Sequence, residues 1–516
     1  MKTDNLENVP VPVVYDEGRT DTANKTRFLN EFGNDLLYVP PWKKWLSWSG
    51  SRWIDDNGVG TFQRAERYAK SLWEPMQEYA AMLDREELAK VISFLKSSNQ
   101  SPKIKSFLEL SSFDERVVCP VDELNSDPTL LNCVNGTIDL LTGTLRPHSP
   151  ADRITQISNV AFDPNAGCPK WVETLGHIFD GDQAIIAYVQ RLLGYSISGE
   201  TGEHILPIAY GRGCNGKSTI WNVVADLLGD YATLANDELL MGDKGGHPTE
   251  KASLYQKRFV AISEPEKNSK LKESRVKELT GDRLITARRM HEDFWSFHRT
   301  HTFWISSNHL PRIDGTDEGI WRRVKLIPFS VDLRTKVLPI PDFDKWLVKH
   351  EGRGILAWLV RGFLDYRQNG LQEPQGVKLA TNSYRADSDA LGEFLVEYCA
   401  EDRDASVAAG RLYQVYAEAN GKRAWSKRIF GIAISERYEK HKSHGKIVYE
   451  GIRLRDDGDS SENREYTAKH DENENRGRNG ELLDTGPRNC RLSRDDLPNH
   501  PPSSPESDLE DDEVAF

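Results

Sequence analysis

The stretch ILPIAYGRGCNGKST, Ile205 to Thr219, constrains this chain more than any other. An apolar run ends at Gly211, and the pattern Gly211-x-x-x-x-Gly216-Lys217-Ser218 follows, the G-x-x-x-x-G-K-[ST] signature of a phosphate-cradling loop. A helix-compatible amphipathic run, Ile220 to Leu228, comes next. The order strand, loop, helix is what the chemistry needs. Glycines let backbone N–H groups turn inward toward phosphate oxygens. The loop Gly211, Arg212, Gly213, Cys214, Asn215, Gly216, Lys217, Ser218 and Thr219 is therefore the expected nucleotide site. Lys217 can reach the β- and γ-phosphates, and the Ser218 hydroxyl can ligate Mg²⁺. The expectation is a nucleoside triphosphatase, and the question becomes what its hydrolysis drives.

Composition sets the frame. At 516 residues the chain has room for about three domains of ~150 residues. No uncharged apolar run approaches the ~20 residues of a membrane span, and MKTDNLENVPVP lacks the apolar centre of a signal peptide. A soluble, cytoplasmic protein without a membrane partner is expected. None of the six cysteines stands in a C-x-x-C pair, so neither a zinc ribbon nor a disulfide framework is suggested. The net charge of −13 is unevenly spread: residues 456–516 hold 18 acidic and 7 basic residues, or −11, leaving −2 elsewhere. Overall acidity thus does not argue against binding DNA.

The texture along the chain divides it. Residues 1–28 are polar and without periodicity, and are expected to be disordered. An α+β region, 29–168, follows. Its Trp-rich LLYVPPWKKWLSWSGSRWIDD carries the turn signal Ser49-Gly50-Ser51 and reads as a hairpin with an aromatic core. Residues 60–112 read as helices, and VNGTIDLLTGTLRPHSP, 134–150, as another hairpin. The nucleotide domain is expected over 169–340, opened by two helices within 170–198, and a helical connector over 341–385. Residues 386–455 read as helices at Leu391–Cys399, Ala408–Ala419 and Ser426–Glu436, then a basic strand pair around Tyr438–Leu454. That order suggests a winged helix–turn–helix unit that binds DNA. An acidic disordered tail, 456–516, closes the chain.

Further chemistry lies downstream of the loop. Such a site needs an acidic residue at the end of a second buried strand, to hold Mg²⁺ or polarise water. Lys257-Arg258-Phe259-Val260-Ala261-Ile262-Ser263-Glu264 fits, with Glu264 as the acid and Glu266 two residues on; a surface Glu capping a strand is the plain alternative. A third strand, Thr302 to Asn308, ends in an amide that can orient water beside the γ-phosphate, unless Asn308 simply starts a turn. Between these strands, KELTGDRLITARRMHEDFWSFHRTH mixes Lys277, Arg288, Arg289 and His291 with Phe294, Trp295 and Phe297. A projecting basic, aromatic hairpin can track a phosphate backbone and stack bases; a solvated hairpin is equally compatible. The pair Arg322-Arg323 offers an arginine for a neighbouring subunit's nucleotide, although paired arginines are often salt-bridged or exposed.

Taken in order, GRGCNGKST, KRFVAISE, VKELTGDRLITARRMHEDF and WISSNHLPRIDGTDEGIWRRVKLIPF resemble the superfamily 3 helicase of phage and plasmid primase–helicases, relatives of the poxvirus nucleoside triphosphatase–primase. The resemblance is strong over about 170–335 and extends more weakly to the flanking regions. It implies an α/β, AAA+-like P-loop ATPase core that uses ATP and Mg²⁺. It also implies a homo-oligomer, a hexameric ring that translocates on single-stranded DNA. In these terms Gly211 to Ser218 bind phosphate and Glu264 is the Walker B acid. Lys277 to His291 cover the characteristic extra motif and hairpin, Asn308 is the sensor, and Arg322 or Arg323 is the finger. Few residues precede the pre-helicase region, so the expectation is a helicase of a phage, prophage or plasmid replication system without its own primer synthesis, served by a separate primase. Retained priming and an ATP-switched origin-DNA or packaging adaptor are the other readings.

Overall fold

The structure, a computed structural model, describes residues 18–455 except 243–247, 267–268, 290–292, 314–317, 336–339, 422–423 and 444. Of the stretch 1–28 expected to be disordered, residues 1–17 lie outside the described residues, and from Asp21 onward the expectation is contradicted. Residues Asp21–Phe32 form a helix, capped by the Thr20 hydroxyl, which accepts from the Ala23 N–H at 3.1 Å. Phe28 of this helix packs on Tyr68 and Phe107 in a small helical core. The sparse apolar content of the helix hid it: only Phe28 and Leu29 among its hydrophobics are buried.

The Trp-rich tract forms a three-stranded antiparallel sheet, Leu36–Val39, Lys44–Trp48 and Trp53–Asp55, with the turn at Ser49 to Arg52. Trp48 and Trp53 lie 5.5 Å apart, and Trp53 is buried, so these rings act as core. Helices Val59–Ser71, Met76–Tyr79, Arg85–Ser98 and Ser101–Ser111 follow. A meander, Leu130–Cys133, Gly136–Asp139 and Thr144–Arg146, then replaces the expected single hairpin.

The centre of the molecule is built from α1 (Pro169–Ile178), α2 (Gln183–Ile197), β1 (Leu206–Tyr210), α3 (Lys217–Leu228), β2 (Ala232–Ala235), β3 (Phe259–Ile262), α4 (Glu273–Gly281), β4 (Thr302–Ser307), β5 (Val324–Pro328) and α5 (Phe343–Asn369). The five strands make one parallel sheet in the order β5-β1-β4-β3-β2. Strand residues alternate between two apolar layers. Ala209, Ala261, Trp304 and Ile327 face α3 and α5, while Ile208, Val260, Ile305 and Leu326 face α4 and the short helix Glu318–Trp321. Burial on both faces is why these strands read as continuous apolar runs. β1 and β4 are neighbours, yet β1 continues to the β2 edge and β4 to the β5 edge. Their carboxyl ends therefore open a crevice, where open α/β sheets bind ligands.

Beyond α5, helix α6 (Gln375–Ser388) packs beside β5. Residues 390–454 run helix, strand, helix, helix, strand, strand: Ala390–Tyr398, Cys399–Ala408, Ala409–Asn420, Lys427–Arg437, Lys440–Ser443 and Lys446–Leu454. The strand Cys399–Ala408 was not anticipated, because CAEDRDASVA carries only Cys399 and Val407 as strongly buried anchors. No helix among the described residues is long and apolar enough to cross a membrane. The acidic tail lies outside the described residues.

Candidate functional site

The Gly211–Ser218 loop leaves the carboxyl end of β1 and turns directly into α3. Its turns use the left-handed region at Gly213 (φ 99°), Cys214 (φ 49°) and Gly216 (φ 84°). A methyl group at Gly216 would meet Ile178 Cδ1 of α1 at 2.5 Å; one at Gly211 would meet the Phe329 carbonyl at 2.2 Å. Both positions therefore exclude a side chain, one by conformation and contact, the other by contact alone. Asn215 is buried and braces the loop, donating from Nδ2 to the Phe329 carbonyl at 3.0 Å.

Lys217 begins α3 with its ammonium folded back into the crevice. Nζ donates to the Gly211 carbonyl at 2.6 Å, Asn215 Oδ1 at 3.0 Å and Asn308 Oδ1 at 2.9 Å. Asn308 follows β4, and its backbone N–H donates to Glu264 Oε1 at 3.1 Å, just past β3. Three residues from three strand ends thus form one connected cluster: Lys217, Asn308 and Glu264. Burial pulls the Lys217 ammonium below its ordinary range, with the Glu264 carboxylate pulling it back up. A buried cation satisfied mainly by neutral oxygens is suited to exchange them for an anionic ligand. The Ser218 hydroxyl and the Glu264 carboxylate are both exposed at this crevice. Glu266 is also exposed and makes no part of the cluster's hydrogen bonds. Arg212 and Cys214 are exposed, and Thr219 is half-buried.

A cavity of about 310 Å³ adjoins the loop. Cys214, Gly216 and Thr219 form one wall; His177 of α1, Leu333 and Phe343 form another. Sequence reasoning missed this wall, because apolar residues at helical spacing look the same in a core and in a pocket.

The arginine pair splits. Arg323 is buried and turned inward, donating from Nε to Thr280 Oγ1 at 3.0 Å and from Nη1 to the Gly319 carbonyl. Arg322 is exposed at the end of the helix Glu318–Trp321. The basic stretch also divides. Lys277 lies half-buried on α4, while Leu284–Arg288 and Phe294–His298 form an antiparallel hairpin. Ile285, Ala287 and Phe297 anchor the hairpin in the core. Near its tip the Arg288 guanidinium sits over Phe294 at 5.5 Å and Arg289 over Trp295 at 5.2 Å. His291 lies outside the described residues. Among the described residues, no group of three or more His, Cys, Asp or Glu is placed to hold a metal.

The fold and this loop define a mixed α/β protein with a polar, lysine-centred crevice at the carboxyl ends of a parallel sheet. Residues 25–180 match the family model described as D5 N terminal like, and residues 209–323 match a family of unknown function (DUF5906). A protein of Acanthamoeba polyphaga mimivirus named "Putative helicase L207/L206" is 25% identical over 61% of this chain and 35% of its own length. An African swine fever virus protein named "Putative primase C962R" is 25% identical over 62% of this chain and 36% of its own. The chain thus spans about a third of the length of the curated relatives it matches. The apo structure of the NrS-1 C terminal region overlays 85% of this chain and all of that one at 13% identity and a TM-score of 0.44. Together these matches support kinship with primase–helicases of the D5, superfamily 3 type.

Proposed function

We propose that this chain is an ATP-driven DNA helicase of a replication system, with an AAA+-like P-loop core that works as a ring on single-stranded DNA. The observation that carries this reading is the connected cluster of Lys217, Asn308 and Glu264 at the crevice. Phosphoryl transfer asks for little beyond positioning and charge stabilisation, and these three residue types at three strand ends supply both. The glycine turns and the Lys217 ammonium fit a triphosphate, and exposed Ser218 and Glu264 offer the oxygen ligands Mg²⁺ prefers. When bound, the metal would supply charge neutralisation on the phosphates. Lys217 would trade its carbonyl partners for phosphate oxygens. Glu264 would take a proton from, or orient, the attacking water, and Asn308 would fix that water's position. The neighbouring 310 Å³ cavity is large enough for a base and ribose. Arg322, exposed where Arg323 is tied into its own chain, is the residue available to a neighbouring subunit's nucleotide. The Arg288 and Arg289 hairpin, with Lys277 on α4 and His291 in the adjoining segment, would carry the DNA strand, and the 390–454 unit would bind duplex or origin DNA as a winged helix.

Strand displacement tests this reading. Purified protein with ATP and Mg²⁺ should separate a labelled forked duplex, and Glu264→Gln should not. A protein that hydrolyses ATP but never separates strands would instead be an ATP-switched adaptor. Because a relative is named as a primase, priming is the second reading. It requires ribonucleotide incorporation on a single-stranded template.

A further inference from the structure

A second polar cavity, about 180 Å³, lies at the root of the hairpin, where 125–128 and 156 meet 199–201, 256–258, 283 and 298–300. Two of its lining residues are buried arginines, Arg258 at 4% exposed and Arg299 at 7%. Each is satisfied by backbone carbonyls. Arg258 donates to Ile197 at 2.9 Å and Leu130 at 2.7 Å, and Arg299 donates to Thr201 at 2.7 Å and Asp282 at 3.3 Å. The Arg258 guanidinium also rests over the Tyr231 ring at 4.6 Å. Among the described residues neither forms a salt bridge; Asp127 and Asp282 act on them only at longer range. Two more basic side chains, Arg283 and His298, stand exposed at the mouth. Neither has a carboxylate partner among the described residues.

Charged groups buried without a counter-ion are costly, and carbonyl dipoles offset that cost only in part. Here two of them share one cavity with two further basic groups and the neutral amide of Gln156. Among the described residues, four basic side chains line this cavity and no carboxylate does. The volume suits a phosphate group with a little water. Arginine forks recognise phosphate well.

We propose that this cavity binds a phosphate group, held by Arg258, Arg299, Arg283 and His298. Two sources share that chemistry: the backbone of a nucleic-acid strand led along the hairpin, and a free phosphoanion. The site shares no lining residue with the cavity beside the Gly211–Ser218 loop; its strand-phosphate arm rests on the reading of the hairpin as a DNA carrier, and its free-phosphoanion arm does not.

The test uses the full chain with Arg283→Ala and Arg283→Lys, since Arg283 is exposed and folding should survive its loss. Two probes are applied: a labelled oligo-dT by anisotropy across a salt series, and millimolar inorganic phosphate by thermal shift. For a strand phosphate, Arg283→Ala should weaken oligo-dT binding several-fold and flatten the log K against log salt slope by about 0.7. Arg283→Lys should restore most of both, and ATP hydrolysis without DNA should be unchanged. For a free phosphoanion, oligo-dT binding should be unaffected, while phosphate should raise the melting temperature of wild type more than that of Arg283→Ala. That comparison cancels the general stabilisation phosphate gives any protein. If neither probe separates wild type from Arg283→Ala, the cavity is no phosphate site.

Discussion

At the scale of single residues, the crevice depends on where a few polar atoms are forced to sit. Gly216 combines a left-handed backbone with a contact that leaves no room for Cβ. Gly216→Ala should therefore abolish nucleotide binding, read as loss of a fluorescent ATP analogue's signal, and should cost roughly 1–3 kcal/mol of stability. The two arginines should part company. Arg323→Ala removes a buried guanidinium that ties β5 to α4, and should lower stability by about 2 kcal/mol in urea titration. Arg322→Ala should leave stability alone. If Arg322 serves a neighbour, its loss should slow hydrolysis on the order of 10³-fold. Mixing Arg322→Ala with Lys217→Ala protein should then recover part of the activity, which neither shows alone. That Lys217, Asn308 and Glu264 meet was legible in sequence because the residue types are scarce and each follows an apolar strand run. Which arginine faces outward was not, since adjacent residues at a helix end differ only by the direction the chain takes.

At the scale of elements, the hairpin Leu284–Arg288 and Phe294–His298 is anchored by one face and presents the other. Phe294 is 60% exposed beside Arg288. Phe294→Ala should leave the melting temperature unchanged and weaken oligo-dT binding by about 1–3 kcal/mol, the worth of one stacked base. The residue just before β4 carries a different liability. His301 is fully buried against Phe303, and neither ring nitrogen has a hydrogen-bond partner of normal geometry. Burial, reinforced by the Arg299 charge and opposed weakly by the Leu279 backbone, pushes its imidazole down to about 3. The unfolded chain takes up this proton near pH 6.5, so stability is lost as pH falls from 6.5 toward about 3. One extra proton in the unfolded state gives a slope of about 1.4 kcal/mol per pH unit. His301→Leu should flatten the acid limb of the stability profile by that amount, measured by urea titration at several pH values. Apolar period made the central strands readable. The helix Asp21–Phe32 and the strand Cys399–Ala408 were not, because each carries few buried apolar residues and is held by its neighbours.

At the scale of the molecule, a nearly neutral body places its positive charge locally, at the hairpin, in the buried cavity beneath it and in the crevice. The parallel sheet fixes these relations: β1, β3 and β4 deliver Lys217, Glu264 and Asn308 to one end. The loop between β3 and β4 supplies the hairpin. Sequence motifs revealed the list of parts and their order. The buried arginines of the second cavity were invisible to it, since their neighbours come from distant parts of the chain. If hydrolysis at the crevice is coupled to a strand on the hairpin, the two must respond to each other. The most direct test is ATP hydrolysis with and without single-stranded DNA, for wild type and Lys217→Ala. The account predicts strong stimulation by DNA in wild type and loss of hydrolysis in Lys217→Ala under both conditions. Hydrolysis indifferent to DNA would contradict it.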